Sequence, residues 1–168
     1  MITLVEPSEA YLPSYREAYA EYHAKGISTY GMTDPDSCDI FEKYDNYRNE
    51  RNLKPDRVGS DYYWLVDTET EAFIGEITIR HCLNDALRIR GGHIGYMIRC
   101  GQWGKGYGTL MLKLALEKAK QRGLEEVLIT CNEDNIASAR VMEKNGCRYT
   151  DTVVCDDGTR SKHYWRSL

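Results

Sequence analysis

Arg99-Cys100-Gly101-Gln102-Trp103-Gly104-Lys105-Gly106-Tyr107-Gly108-Thr109 is the stretch on which the fold turns. An apolar, β-rich run, 93–99, precedes it. A helical pattern follows over 108–121, with Leu110, Met111, Leu114, Ala115 and Lys118 at helical spacing and Gly123 as its stop. The stretch is therefore a strand-to-helix turn. Glycines at 104, 106 and 108 let the backbone bend and let a ligand approach closely. The amides of Lys105, Gly106, Tyr107, Gly108 and Thr109 would leave the helix start unpaired, at its positive dipole end, which makes an anion site. A phosphate or pyrophosphate cradle is the physical reading; a glycine-rich turn with no ligand is the other. A Walker A loop requires GxxxxGK[ST], and Gly101 stands only three residues before Gly104. A dinucleotide fingerprint requires GxGxxG, whereas here the pattern is GxGxG.

Outward from this turn, 126–131 (EVLITC) reads as a nearly continuous apolar strand, suited to a sheet centre. Residues 135–144 read as a helix ended by Gly146. Two last strands, 148–154 and 162–167, are joined by Asp156-Asp157-Gly158. Upstream, 62–81 reads as a hairpin and 84–90 as a linker. Residues 2–5 form a first strand. A capping box at Ser14-Tyr15-Arg16-Glu17 opens a helix toward Gly26, 28–35 is loop, and a second helix covers 36–52. The order β-α-α-β-β-β-α-β-α-β-β describes one mixed α/β domain over 1–168, with no repeat and no linker between domains.

The 168 residues carry 22 Lys+Arg against 26 Asp+Glu, and such mild acidity argues against a dedicated nucleic-acid binder. Six cysteines, none in a CxxC pair, argue against structural zinc, and no metal is expected. The N-terminus lacks a basic stretch followed by an apolar run, and no run reaches the roughly 20 apolar residues of a membrane span. A cytoplasmic protein with free thiols, not associated with membranes, is expected. Residues 1–60 hold 7 basic and 11 acidic residues, so the whole net charge of −4 lies there, with seven of the 13 tyrosines.

A second block, Asn135-Ile136-Ala137-Ser138-Ala139-Arg140-Val141-Met142-Glu143-Lys144-Asn145-Gly146, follows the central strand. With the glycine turn, it resembles the GNAT superfamily of acyl-CoA-dependent N-acetyltransferases. The turn is similar to that family's [RQ]xxGx[GA] element, with Gly106 and Gly108 matching and Trp103 where the family has Arg or Gln; Gln102 is one place off. The 135–146 block resembles the family's NxxSxxxxEKxG helix. Gly91-Gly92-His93-Ile94-Gly95-Tyr96 looks further like an uncharacterised bacterial subgroup of predicted acetyltransferases. The resemblance implies a mostly antiparallel central sheet with helices on both faces, two parallel strands splaying apart to bind coenzyme A.

It also implies roles. Trp103, Gly104, Lys105, Gly106, Tyr107, Gly108 and Thr109 would cradle the pyrophosphate. Met97, Ile98 and Arg99 would pair with the pantetheine arm, with the amide near Ile98 donating to the thioester oxygen. Asn135 would bond the arm and Ser138 the phosphates, although Asn135 reads equally as a helix N-cap. A protonated amine must lose its proton before attack, and the candidate bases are Glu76, His93, Glu133 and Asp134. His93 reads alternatively as a strand residue bonded locally, and Glu76 as an exposed strand carboxylate. The family's thiolate-protonating Tyr position is Met142, so Tyr149 or Tyr107 would have to substitute, or water. The implied activity is acetyl transfer from acetyl-CoA to a small-molecule or peptide amine by direct attack. A non-catalytic acyl-CoA-binding or sensing module is the alternative. The acidic, Tyr-rich N-terminal region would suit a cationic acceptor, and a homodimer is the default oligomer.

Overall fold

In the computed structural model, residues 1–28 and 31–168 are described; part of the loop expected over 28–35, residues 29 and 30, lies outside them. The strands are β1 (Ile2–Val5), β2 (Ser60–Asp67), β3 (Ala72–Arg80), β4 (Ile94–Ile98), β5 (Glu126–Asn132), β6 (Arg148–Val154) and β7 (Arg160–Ser167). The helices are α1 (Leu12–Ala24), α2 (Ile40–Arg48), α3 (Asp85–Ile89), α4 (Tyr107–Gln121) and α5 (Ile136–Lys144). All seven strands join one sheet in the order β1-β2-β3-β4-β5-β7-β6, antiparallel everywhere except between β4 and β5.

The sheet has a core on each face. Leu65, Ile77 and Ile79 pack with Met111, Leu112 and Ala115 of α4, and with Ala139 and Met142 of α5. On the other face, Trp64, Val66 and Phe73 pack with Tyr15 and Ala18 of α1 and with Ile40 and Tyr44 of α2. Period-2 alternation in β2 supplies both layers, and in β3 a bulge at Ile74, opposite Leu65 and Val66, puts Phe73 and Ile77 on opposite faces. Tyr15 stacks on Trp64 at 4.7 Å, with Phe73 edge-on to both rings, so aromatic packing holds α1 down.

Several local expectations change. Ser14 is no helix cap: α1 starts two residues earlier with a proline in its first turn, and the Ser14 hydroxyl accepts from the Phe73 amide and from Arg99. The second helix is shorter than its pattern, because Asp39 caps it by accepting from the amides of Phe41 and Glu42. The expected linker contains α3, capped by Asn84.

Candidate active site

The candidate site lies at a break in the pairing of the sheet. β4 and β5 pair in parallel at Ile94↔Ile129, with an isolated bridge from Gly92 to the same residue. Beyond that point the strands have no register with each other, and a gap opens toward the C-terminal ends of both. Alternation of backbone groups decides what faces it. The Arg99 amide donates to the Ile74 carbonyl at 2.8 Å, and Met97 lies opposite Glu76, so residues 97 and 99 direct their amides and carbonyls at β3. Tyr96 and Ile98 therefore direct theirs into the gap. The spacing of a strand alone cannot give this phase, and Tyr96 was missed for that reason. Of the three residues expected to pair with a pantetheine arm, only Ile98 has the right direction.

Arg99 has a different task. Its guanidinium donates to Glu21, Glu17 and Ser14 of α1, latching that helix to the end of β4. Arg99 in turn holds the Glu21 carboxyl below its usual range. Part of the N-terminal acidity is thus used internally. So are several tyrosines: Tyr15, Tyr22 and Tyr44 are buried, with hydroxyls bonded to the Thr33 carbonyl, the Ile98 carbonyl and the Glu76 carboxylate.

The glycine turn meets the gap at its open end. Gly104 and Gly106 have φ of 77° and 84°, left-handed values that strain any other residue, and a Cβ on either would meet open space. Gly106 is the N-cap of α4, and the first helical bond there runs from the Leu110 amide to the Gly106 carbonyl. The amides of Tyr107, Gly108 and Thr109 thus start the helix without an earlier turn beneath them. Lys105 reaches back to Gln102 Oε1 at 2.9 Å. Gly108 serves helix packing instead, since a Cβ there would stand 3.2 Å from Val141. Asn135 caps α5, its Oδ1 accepting from the Ser138 amide at 3.1 Å. Ser138 shares a hydroxyl–hydroxyl bond of 2.7 Å with Tyr96.

Glu76 is not an exposed strand carboxylate; it is 2% exposed. Its Oε2 accepts from Tyr44 at 2.6 Å and from Trp64 Nε1 at 2.8 Å. Burial pushes its pKa up to about 7, against the opposing pull of those two donors and of Lys43. It stands across from Met97, beside the two gap-facing residues.

The other catalytic candidates are elsewhere. His93 precedes the closed end of the β4–β5 pair, five strand positions, or about 16 Å, from Ile98. Its backbone amide donates to the Leu128 carbonyl and its Nδ1 accepts from the Leu128 amide at 2.9 Å. Burial, with Arg88 and Arg80 nearby, lowers its pKa to about 4, which keeps the ring neutral. Tyr149 sits on the outermost strand, two strand spacings or about 10 Å beyond β5. Its hydroxyl bonds Thr152, and it lines a polar groove of about 600 Å³ with Arg160 and Lys162. Tyr107 packs against the core beneath α4, and Met142 is fully buried there. Glu133 forms an ion pair with Arg160.

A strand gap continuous with an anion-ready helix start can be compared with known proteins. The model of the acetyltransferase (GNAT) domain matches residues 2–148. The chain belongs to the GNAT acetyltransferase family. Enzymes of this family use acetyl-CoA as co-substrate. Among solved structures, the microcin C7 self-immunity acetyltransferase MccE, in complex with acetyl-CoA and AMP, superposes with a TM-score of 0.71 at 15% identity, covering 99% of this chain and 92% of that one. RimL, a ribosomal L7/L12 α-N-protein acetyltransferase in complex with coenzyme A, gives 0.72 at 14% identity, covering 99% and 94%. The Salmonella typhimurium acetyltransferase that modifies the N-terminal serine of L7/L12 gives 0.69 at 14% identity, covering 99% and 95%. At such identities these neighbours speak for the fold. Among the described residues no cluster of His, Cys, Asp and Glu could hold a metal ion, and no helix is long and apolar enough to cross a membrane.

Proposed function

We propose that this GNAT enzyme transfers the acetyl group of acetyl-CoA to a primary amine by direct attack in a ternary complex. The observation that carries the reading is the β4–β5 gap, edged by backbone groups of Tyr96 and Ile98 and ending at the Gly106 helix start. The cofactor's pyrophosphate would lie on the amides at 107–109, where the helix dipole favours negative charge. Its pantetheine would extend the sheet along β4, as a strand adds to an edge. Asn135 and Ser138 flank the same gap from α5.

Glu76 is the proposed base. Oε2 is occupied by Tyr44 and Trp64, which leaves Oε1 to take a proton from the acceptor ammonium, directly or through water. A carboxylate titrating near 7 suits proton abstraction at neutral pH. The neutral amine then attacks the thioester carbon. The carbonyl electron pair moves to oxygen, and an amide of Tyr96 or Ile98 stabilises that oxyanion by roughly 3 kcal/mol. Collapse expels the thiolate, and the second proton of the attacking nitrogen passes through water to it; a thiol pKa of ~8.5 makes such a leaving group tolerable without a side-chain acid. Cys100 is buried against Tyr22, a neutral phenol, and lacks a base that would make it an acyl carrier.

The experiment is a thiol-release assay across small amines, amino acids and N-terminal peptides, the last because two structural neighbours act on a ribosomal protein N-terminus. Turnover on one class identifies the acceptor. Tight acetyl-CoA binding without turnover on any amine would favour the second reading, an acyl-CoA-binding module, for which the sealed position of Glu76 and the loss of the hydroxyl at 142 speak. A cytoplasmic setting suits the six free cysteines.

A further inference from the structure

The Ile98 carbonyl, on the edge of β4 that faces the gap, already has two donors. The Tyr22 hydroxyl donates to it at 2.6 Å and the Trp103 indole Nε1 at 2.7 Å. A carbonyl oxygen has two lone pairs, so both are occupied. We propose that Trp103 is a plug on this edge, which coenzyme A displaces when its pantetheine amide bonds the Ile98 carbonyl. The inference rests on the pantetheine lying along β4.

Which donor leaves follows from how each is held. Tyr22 is 6% exposed, and its helix is latched to the end of β4 by the Arg99–Glu21 pair. Trp103 is 54% exposed and, besides its indole bond, meets the Tyr22 ring edge-on at 6.4 Å. Its backbone lies between Gly101 and Gly104, both with room around them, and Gly104 occupies left-handed φ. These glycines let the indole swing away without moving β4 or α4. Large exposed apolar side chains are individually unremarkable on a protein surface. One whose single polar atom caps a carbonyl on the cofactor's edge has a specific consequence. The ligand-free enzyme presents that edge closed, and only a ligand that carries an amide donor along β4 competes with the indole. A ligand that fills the phosphate cradle alone leaves Trp103 in place.

Coenzyme A and adenosine 3′,5′-bisphosphate, which brings one phosphate of the pyrophosphate to the cradle but lacks the pantetheine arm, separate these outcomes. Calorimetry establishes binding of each to the wild-type protein. The indole N–H resonances, assigned by comparison with Trp103→Phe, report the bond to Ile98. Saturating coenzyme A is expected to shift the Trp103 indole resonance and speed its hydrogen exchange, while the bisphosphate leaves both unchanged. Trp103→Phe removes the competing donor and keeps an aromatic ring. It is expected to bind coenzyme A about five-fold more tightly, the effect of not breaking one ordinary hydrogen bond, with bisphosphate affinity unchanged. An unmoved Trp103 resonance in the coenzyme A complex would overturn the plug while leaving the cofactor site standing. Failure of coenzyme A to bind would overturn both. Equal affinity of variant and wild type for coenzyme A would also count against the plug.

Discussion

Glu76→Gln isolates the energetic cost of keeping a carboxylate beneath Tyr44 and Trp64. The Gln carbonyl can accept both of their hydrogen bonds but carries no proton that titrates. In the wild type the folded-state pKa is raised from 4.5 to about 7. Below pH 4.5 the group is protonated in both folded and unfolded protein and contributes its full stability. Between 4.5 and 7 the unfolded chain has released this proton and the folded one has not, so stability falls as pH rises; above the folded pKa the loss is complete. At 1.36 kcal/mol per pKa unit, the shift amounts to about 3 kcal/mol. Urea unfolding of both proteins at pH 4.5, 5.5, 6.5 and 8 measures it. The stability of Glu76→Gln relative to wild type is expected to rise by about 3 kcal/mol over this range. Activity of the wild type is expected to climb over the same interval, as Glu76 ionises and becomes a base, whereas the variant lacks that limb. A stability difference independent of pH would refute the buried-carboxylate argument, and identical pH–rate profiles would remove Glu76 from the chemistry.

His93→Ala leaves the Leu128 amide without its side-chain acceptor. It should cost on the order of 1–3 kcal/mol in thermal or urea unfolding without moving the pH–rate profile; a displaced profile would reinstate His93 as a base. Gly106→Val puts a branched side chain at φ 84° over the start of α4, and calorimetry should show loss of coenzyme A binding; retained affinity would sink the phosphate placement. Asn135→Ala removes the α5 cap and should lower stability by about 1 kcal/mol in urea unfolding. Tyr149→Phe should leave kcat within two-fold, since its hydroxyl is bonded to Thr152 on the far strand; a large fall would show that β6 reaches the reacting sulfur.

The strands, long helices and glycine turn were legible because each rests on local signals: period-2 runs, helical spacing, and glycines where the chain turns. The mixed sheet and the cofactor followed from two motifs in the right order. The side-chain roles were less legible, because they depend on register. His93 carries the ideal unperturbed pKa for a base and stands on the right strand. Only the Ile94↔Ile129 pairing places it at the closed end of the two strands, away from Ile98. Glu76 could be nominated from sequence, but its burial comes from Tyr44, 32 residues earlier. Tyr22 meets Ile98 across 76 residues, a contact no local pattern encodes. The abundance of tyrosine near the N-terminus suggested a groove for a cationic acceptor, whereas three of those rings are packed core with satisfied hydroxyls.

The single register point between β4 and β5 has a mechanical meaning. The sheet is two half-sheets, β1 to β4 and β5 to β6, joined at a crotch where His93 holds both polar groups of Leu128. A wedge driven into such a crotch spreads the halves unless something bonds to both sides. In the proposed complex the pantetheine arm is that something, a length of borrowed strand that this polypeptide does not encode. Loading the cofactor should therefore stiffen the molecule across its full width, and amides of Tyr96 and Ile98 should gain hydrogen-exchange protection together. His93, bonded to both polar groups of Leu128, becomes the rivet that stops the tear.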